Sequence, residues 1–220
     1  MSQTIILIPS RLNSKRLKNK PLLEIDGCPL VVHTYKRAEM SKICSKIYVC
    51  TDSKEIKRKC EEFSTKIIMT SNKHINGTER IAEAARKLKL KDNDIIVDVQ
   101  GDEPLIDPKQ IDNTIKFFKK NKFEIVLPNI MMKKGSSKNI VKLVFDQNNR
   151  VRWMSRSEIP FYFKSKKRIF YKHLSIIAFT KKSLMKYAKL KPSKNEKIES
   201  IELLRALEND IKIGTFTIKS

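Results

Sequence analysis

A dense group of cationic side chains follows the first apolar segment of the chain. Residues 4–8, Thr-Ile-Ile-Leu-Ile, predict a short buried strand. Just after it come Arg11, Ser14, Lys15, Arg16, Lys18 and Lys20. Because open α/β sheets bind ligands beyond the carboxyl ends of their strands, cations at this point predict a polyanionic ligand such as a nucleoside triphosphate. A solvated basic loop on a lysine-rich protein is the alternative interpretation.

Carboxylates close another apolar segment, residues 94–99. The sequence there is Val99-Gln100-Gly101-Asp102-Glu103-Pro104. Gly101 allows an unusual backbone angle or a close ligand approach. Asp102 and Glu103 are suited to Mg²⁺, which binds one or two carboxylates together with substrate phosphate oxygens. Acid at one strand end and base at another therefore predict a triphosphate–metal site, with a polar turn and helix-capping acids as the alternative.

The segment Asn76-Gly77-Thr78-Glu79-Arg80 has the composition of a helix start. Backbone N–H groups at such a start can bind an anionic ligand. Arg80 has the length to reach a phosphate or a sugar. A capped helix that follows a glycine turn is the alternative interpretation.

Alternating strand and helix patterns must position these three segments. We predict strands over residues 4–9, 46–51, 66–69, 94–99, 175–179 and 211–218, and helices over 30–40, 54–63, 79–88, 108–121, 181–188 and 197–207. This order predicts a doubly wound, mostly parallel α/β sheet with helices on both faces. Residues 138–145 and 151–155 flank the turn 146–149 and predict an antiparallel hairpin. Because an isolated hairpin is marginally stable, we expect a dimer arm, or otherwise an extension of the same sheet.

Composition excludes several classes of protein. The 220 residues predict one domain, 1–220, with a hairpin excursion at about 138–172. No apolar run is long enough to span a bilayer and none resembles a signal peptide, so we expect no membrane contact and a cytoplasmic protein. The four cysteines form no CxxC pair and predict neither a metal site nor a disulfide. The net charge of +23 is spread along the chain without a nucleic-acid-binding signature, so we expect no nucleic-acid partner.

Taken together, the motifs resemble one family, the 3-deoxy-manno-octulosonate cytidylyltransferases, also called CMP-KDO synthetases. Residues 11–22 are similar to its R-x-x-S-x-R-L-x-x-K-P-L signature, residues 76–80 to S-G-T-E-R, and residues 99–104 to V-Q-G-D-E-P. Residues 139–142 resemble N-x-V-K, residues 155–160 resemble S-R-x-x-I-P, and residues 192–205 resemble P-S-x-x-E-x-I-E-x-x-E-x-L-R. The resemblance runs from about residue 4 to 218, and the joint occurrence of the motifs is specific.

The resemblance implies a nucleotidyltransferase domain of the nucleotide-diphospho-sugar transferase type. Its reaction would join CTP and KDO into CMP-KDO and pyrophosphate for lipopolysaccharide or surface-polysaccharide synthesis, with Mg²⁺ as cofactor and a homodimer as the assembly. The resemblance implies that Arg11 and Lys20 bind the triphosphate and take part in catalysis, and that Asp102 binds Mg²⁺. Ser14 and Arg16 would position the loop and the phosphates, whereas Gly77, Arg80 and Gln100 would contact the nucleotide or the sugar. The sugar acid would be bound by Arg156, His173 and Glu202.

Two departures from the family pattern widen the expected function. Residues 173–179 have Ser175 and Ile177 where the family motif H-x-G-I-Y-A-[YF] has Gly and Tyr. We therefore keep 8-amino-KDO or a sialic-type acid as alternative substrates. The family continues with a segment like V-D-T-P-E-D-L, whose aspartate supplies a second Mg²⁺ carboxylate, and we expect that segment to be missing after Ser220. We expect one of three explanations: the chain is truncated, another acid such as Asp98 or Glu103 substitutes, or the protein binds CTP with impaired catalysis.

Overall fold

The structure is a computed structural model that describes residues 2–12, 17, 19–133 and 137–218. Its strands are β1 (Thr4–Ser10), β2 (Glu24–Ile25), β3 (Cys28–Pro29), β4 (Lys46–Thr51), β5 (Ile67–Met69), β6 (Ile95–Val99), β7 (Ile125–Met132), β8 (Lys142–Phe145), β9 (Val151–Ser155), β10 (Phe170–His173), β11 (Ile176–Thr180) and β12 (Ile213–Ile218). Its helices are α1 (Leu30–Glu39), α2 (Lys54–Glu61), α3 (Gly77–Lys87), α4 (Pro108–Lys120), α5 (Lys181–Ala188), α6 (Lys194–Glu199) and α7 (Leu204–Glu208), with a short 3-10 helix at Lys20–Leu22.

The chain divides into two compact units. The first comprises Met1–Ile115 and Ser175–Ala188, and the second comprises Lys116–Leu174 and Lys189–Ser220. The mostly parallel sheet with helices that the sequence predicts is confirmed, as is the antiparallel hairpin. The assignment of residues 1–220 to a single domain stays a prediction.

The first unit is built on a sheet of order β5-β4-β1-β6-β11. Strands β5, β4, β1 and β6 are parallel, and β11 runs antiparallel to β6. Every residue of β1 is buried, as a strand covered on both faces requires. Because β1 and β6 are adjacent and parallel, the loops that follow them leave the sheet at the same edge.

Local capping explains where the helices of this unit begin. The side-chain oxygen of Ser53 accepts a hydrogen bond from the backbone N–H of Ile56 at the start of α2. Asn76 does the same for Glu79 at the start of α3. Each cap satisfies a backbone donor that would otherwise lack a partner within the helix.

The second unit carries a sheet of order β12-β7-β10-β8-β9. Strand β12 is parallel to β7, whereas the other neighbouring pairs are antiparallel. Strands β8 and β9 form the predicted hairpin, in which Asp146 accepts hydrogen bonds from the backbone N–H groups of Asn148 and Arg150 in the turn. These bonds are typical of an aspartate that organises a tight turn.

A buried lysine stabilises the open end of this hairpin. The side chain of Lys142 is fully buried, and its ammonium donates to the carbonyl oxygens of Ser137, Ile140 and Arg156. Burial lowers the pKa of Lys142. The ammonium thus satisfies three backbone acceptors from the two ends of the hairpin.

Several elements differ from the sequence-based expectation. Strands β2, β3, β7 and β10 were not predicted, and the single helix predicted over 197–207 is two short helices, α6 and α7. Ser200 ends α6 because it adopts the left-handed conformation, with φ of 51°. Among the described residues, none of the helices combines the length and the apolar character needed to cross a membrane.

Candidate active site

The cationic loop after β1 and the acidic loop after β6 meet in the first unit. Lys20 Nζ lies 2.6 Å from Asp102 Oδ2 and donates a hydrogen bond to it. The side chains are 35% and 43% exposed, so the pair is open to solvent. A partly exposed ion pair contributes little net stability. Phosphate oxygens and a cation can therefore take over the contacts that the two side chains make with each other.

A glycine allows these two loops to approach. A Cβ added to Gly101 would lie 3.0 Å from the carbonyl oxygen of Pro9 and 3.5 Å from Cβ of Ser10. The hydroxyl of Thr34 donates a hydrogen bond to the carbonyl oxygen of Gly101. The glycine predicted for a close approach is thus used for packing the end of β1 against the end of β6.

Gly77 and Arg11 lie at the same edge. A Cβ on Gly77 would be 3.0 Å from Cγ of Pro9, so the first residue of α3 packs closely against the end of β1. Arg11 donates from its guanidinium to the carbonyl oxygen of Ile75, at 3.2 Å. The structure therefore brings Arg11 onto the loop that leads into α3.

Arg80 is placed differently from the expected ligand-facing side chain. Its side chain is 3% exposed and forms an ion pair with Asp52 at 3.3 Å. It also donates to the hydroxyl of Thr70 and the carbonyl oxygen of Ser71. In this structure Arg80 joins α3 to the ends of β4 and β5, and its contact with a nucleotide or sugar stays a prediction.

Gln100 is hydrogen bonded to a buried carboxylate. Its Nε2 donates to both oxygens of Asp98, each at 3.0 Å. Asp98 is 1% exposed, whereas Gln100 is half-buried. The next carboxylate along the chain, Glu103, accepts a hydrogen bond from the hydroxyl of Ser175 at 2.8 Å. Three carboxylates therefore stand at the end of β6 or just beyond it, and each has a hydrogen-bond donor.

Three predicted substrate residues belong to the second unit. Arg156 donates from Nε, Nη1 and Nη2 to the carbonyl oxygens of Glu199, Lys138 and Ser200. Its guanidinium therefore joins the hairpin to α6. Glu202 lies between α6 and α7, where its carbonyl oxygen accepts from the backbone N–H of Arg205.

His173 ends β10. Its Nδ1 is buried without a hydrogen-bond partner among the described residues, and desolvation lowers its pKa to about 4. The imidazole is therefore neutral at physiological pH. The substrate roles of Arg156, His173 and Glu202 stay predictions. Ser14 and Arg16, the remaining predicted site residues, lie outside the described residues.

Metal binding would depend on few protein ligands. Within the described ranges, no group of three or more His, Cys, Asp and Glu side chains is arranged to hold a metal ion. Asp102 offers one exposed carboxylate, which matches the way Mg²⁺ is commonly held, by one or two carboxylates, substrate phosphates and water.

Comparison with known proteins identifies the family of this chain. The model of the cytidylyltransferase family matches residues 5–213. The chain belongs to the cytidylyltransferase family. The enzyme is therefore a nucleotidyltransferase, and the resemblance noted in its motifs is confirmed at the level of the family.

The curated relatives of this cytidylyltransferase carry a specific name. An 8-amino-3,8-dideoxy-manno-octulosonate cytidylyltransferase from Shewanella baltica strain OS155 is 39% identical over 213 residues, covering 94% of this chain and 87% of the relative. A protein of the same name from Shewanella sp. strain W3-18-1 is 41% identical over 214 residues, covering 95% and 87%.

Solved structures support the fold. A CMP:2-keto-3-deoxy-manno-octonic acid synthetase complexed with CTP superposes with a TM-score of 0.93 at 32% identity, covering all of this chain and 91% of the other. A cytidylyltransferase from Leptospira borgpetersenii, at 19% identity and a TM-score of 0.65, shares the fold.

Two polar contacts at the candidate site of this cytidylyltransferase escaped the sequence analysis. Asp52, the partner of Arg80, follows β4 and has no motif around it. The contact of Asp98 with Gln100 had a signal, because a charged residue within the apolar run of β6 must have a buried partner.

Proposed function

We propose that this cytidylyltransferase transfers the cytidylyl group of CTP to the anomeric hydroxyl of a 3-deoxy-octulosonate of the KDO type. The contact between Lys20 and Asp102 carries the proposal, because it joins a cation and a carboxylate at the sheet edge where nucleotides bind in open α/β sheets. The similarity to a synthetase solved with CTP supports the choice of nucleotide.

In the proposed reaction the anomeric oxygen of the sugar attacks the α-phosphorus of CTP. A new bond joins that oxygen to phosphorus, the bond to the β-phosphate oxygen breaks, the hydroxyl proton is released, and pyrophosphate leaves. Transfers of this type depend mainly on positioning and on neutralising charge. We assign that work to Lys20 and Arg11, because both cations lie at the edge where the leaving pyrophosphate would carry its charge.

Asp102 would hold the Mg²⁺ that the family resemblance implies. Its carboxylate is exposed and is paired with the ammonium of a flexible lysine side chain, so it can exchange that ammonium for a hard cation such as Mg²⁺. When bound, Mg²⁺ supplies Lewis-acid polarisation of the phosphate oxygens. Lys20 would then turn from Asp102 towards the phosphates.

Two acceptor sugars are candidates. KDO is favoured by the name of the solved synthetase, whereas the relatives at 39–41% identity are named for 8-amino-3,8-dideoxy-manno-octulosonate. The higher identity of the second group makes the amino sugar the first acceptor to test. Sialic-type acids, and CTP binding without turnover, are the alternatives that the same test separates.

The decisive measurement is pyrophosphate release from CTP with Mg²⁺ in the presence of each acceptor. We expect release only when an octulosonate is added, and a ratio of kcat/KM that ranks KDO against its 8-amino form. A reaction without acceptor and one with UTP serve as controls. Absence of release with every octulosonate would contradict the proposal, and CTP binding measured by calorimetry would then identify an impaired homologue.

We also propose a homodimer assembled through the region after the hairpin. Phe161 and Phe163 are 81% and 84% exposed, which is unusual for two neighbouring aromatic side chains. Sedimentation of the protein and of a variant with both residues changed to serine would test the assembly. Because the proposed reaction consumes CTP, we propose a cytoplasmic location.

A further inference from the structure

The hydrogen bonds of Gln100 fix the orientation of its carboxamide. Both oxygens of Asp98 accept from Nε2, which is the pattern of a carboxylate that acts only as an acceptor. The flipped carboxamide would place Oε1 against those oxygens, which is unfavourable for two acceptors. Asp98 thus allows only one of the two orientations that an amide can otherwise adopt.

The same bonds leave Oε1 of Gln100 for another group. No residue in the described parts of the chain donates a hydrogen bond to this oxygen. Gln100 is half-buried, and its Nε2 is 3.8 Å from the place that a Cβ on Gly77 would occupy. Two residues further along the chain is Asp102, the carboxylate that contacts Lys20. The acceptor therefore belongs to a residue of the candidate site, one that lies next to the start of α3 and two positions before Asp102.

The position of Asp98 makes this orientation durable. The residue lies within β6, in register with Leu7 of β1 and with Ile177 of β11 on the other side. Its side chain is 1% exposed, so water does not compete for its oxygens. An amide that bonds a buried carboxylate keeps its orientation when a ligand arrives.

We propose that Asp98 is a positioning residue that makes Gln100 a hydrogen-bond acceptor towards substrate, so that the site selects ligands with an N–H or O–H donor at that point. The inference rests on the proposed function and deepens it. The donor belongs to the nucleotide, as the 4-amino group of cytosine or a ribose hydroxyl, or to the sugar acid, as a hydroxyl or amino group. Sites built to bond a donor reject analogues that lack it.

An exchange of amide and carboxylate tests the proposal. Asp98→Asn leaves a neutral pair in which Gln100 can present either its oxygen or its nitrogen to the ligand. Gln100→Glu places two carboxylates against each other and removes the donor between them. The double variant Asp98→Asn/Gln100→Glu restores one donor between the residues and leaves a carboxylate oxygen facing the ligand.

We expect Asp98→Asn to fold with nearly unchanged circular dichroism and to raise the KM or the dissociation constant of the selected ligand about five- to tenfold, with kcat little changed, as loss of one oriented hydrogen bond implies. Gln100→Glu should bind more weakly still, and the double variant should recover to within about threefold of wild type.

Matched ligands identify the donor. The pairs are CTP and UTP, CTP and its 2′-deoxy form, and KDO and its 8-deoxy form, compared in wild type and in Asp98→Asn. The pair whose discrimination collapses contains the donor. Because dissociation constants are read by calorimetry, this cycle gives an answer even if wild type releases no pyrophosphate, which would contradict only the proposed function. A folded Asp98→Asn with wild-type constants, or a double variant no better than Gln100→Glu, would overturn the inference.

Discussion

Replacing Asp102 by asparagine should separate catalysis from stability. The substitution keeps the size of the side chain and removes its charge, so the contact with Lys20 becomes a neutral hydrogen bond. Because both side chains are more than a third exposed, their ion pair contributes less than about 1 kcal/mol to folding. A change of that size shifts the melting temperature of a chain this long by about 2–4 °C.

The effect on turnover should be much larger. Loss of one fixed charge at a site where charge develops typically lowers kcat by about 10²- to 10³-fold. Asp102→Asn should therefore lose at least two orders of magnitude of pyrophosphate release, together with a higher Mg²⁺ requirement. Lys20→Met should show a comparable loss of turnover with a similarly small shift in melting temperature.

A second lysine–aspartate pair in the same unit supplies the control. Lys181 Nζ lies 2.8 Å from Asp92 Oδ1, away from the sheet edge that carries Lys20 and Asp102, and next to the start of α5. Asp92→Asn should leave kcat and KM within about twofold of wild type, as expected for a surface substitution. The reasoning is refuted if Asp102→Asn keeps more than a tenth of the turnover, or if Asp92→Asn loses as much.

Three further predictions test other parts of the structure. Gly101→Ala should reduce kcat/KM at least tenfold and cost about 1–3 kcal/mol of unfolding free energy in urea, because its Cβ would meet the Pro9 carbonyl oxygen at 3.0 Å; wild-type kinetics would contradict this. Arg205→Met should cost about 3–5 kcal/mol in the same assay, since it leaves Glu196 buried without its ion-pair partner; a loss below about 1 kcal/mol would argue against that role. The pKa of His173 is about 4 in the folded protein and near 6.5 in the unfolded chain, so the unfolded chain binds more protons between these two pH values. The free energy of unfolding should therefore fall by up to about 3 kcal/mol from pH 6.5 to pH 4. His173→Phe should reduce this dependence on pH, and an unchanged dependence would refute the assignment.

The contact between Lys20 and Asp102 could be predicted because it follows from strand order. Both residues come just after buried apolar strands, and parallel neighbours bring such loops to one edge. The hairpin was predictable for a similar local reason, since Asp146 and Asn149 mark its turn between two strand patterns. Contacts between residues that follow adjacent parallel strands can thus be predicted from the sequence.

Other features depend on contacts that the local pattern does not contain. Strand β7 includes Pro128, which lacks an N–H and argues against a strand within a sheet. In the structure Pro128 nevertheless lies within β7, in register with Phe216 of β12, and its carbonyl oxygen accepts from the N–H of Leu174. The break between α6 and α7 depends on the left-handed conformation of Ser200, which serine adopts rarely.

The burial of Arg80 was unpredictable for a related reason. Its partner Asp52 lies 28 positions earlier in the chain, and nothing in the sequence around either residue indicates that they form a pair. An arginine at the start of a helix, such as Arg80 in α3, therefore does not by itself identify a contact with a ligand.

The ammonium of Lys142, buried at the end of the hairpin, takes the place that a bound monovalent cation could otherwise occupy. Its three N–H groups match three carbonyl oxygens one for one, so the hairpin end needs no ion from the medium. A neutral amine has only two N–H groups, and acetylation or a change to methionine would leave even more of these oxygens without a donor. The geometry of the hairpin end next to Arg156 therefore depends on the protonation of a single side chain, Lys142.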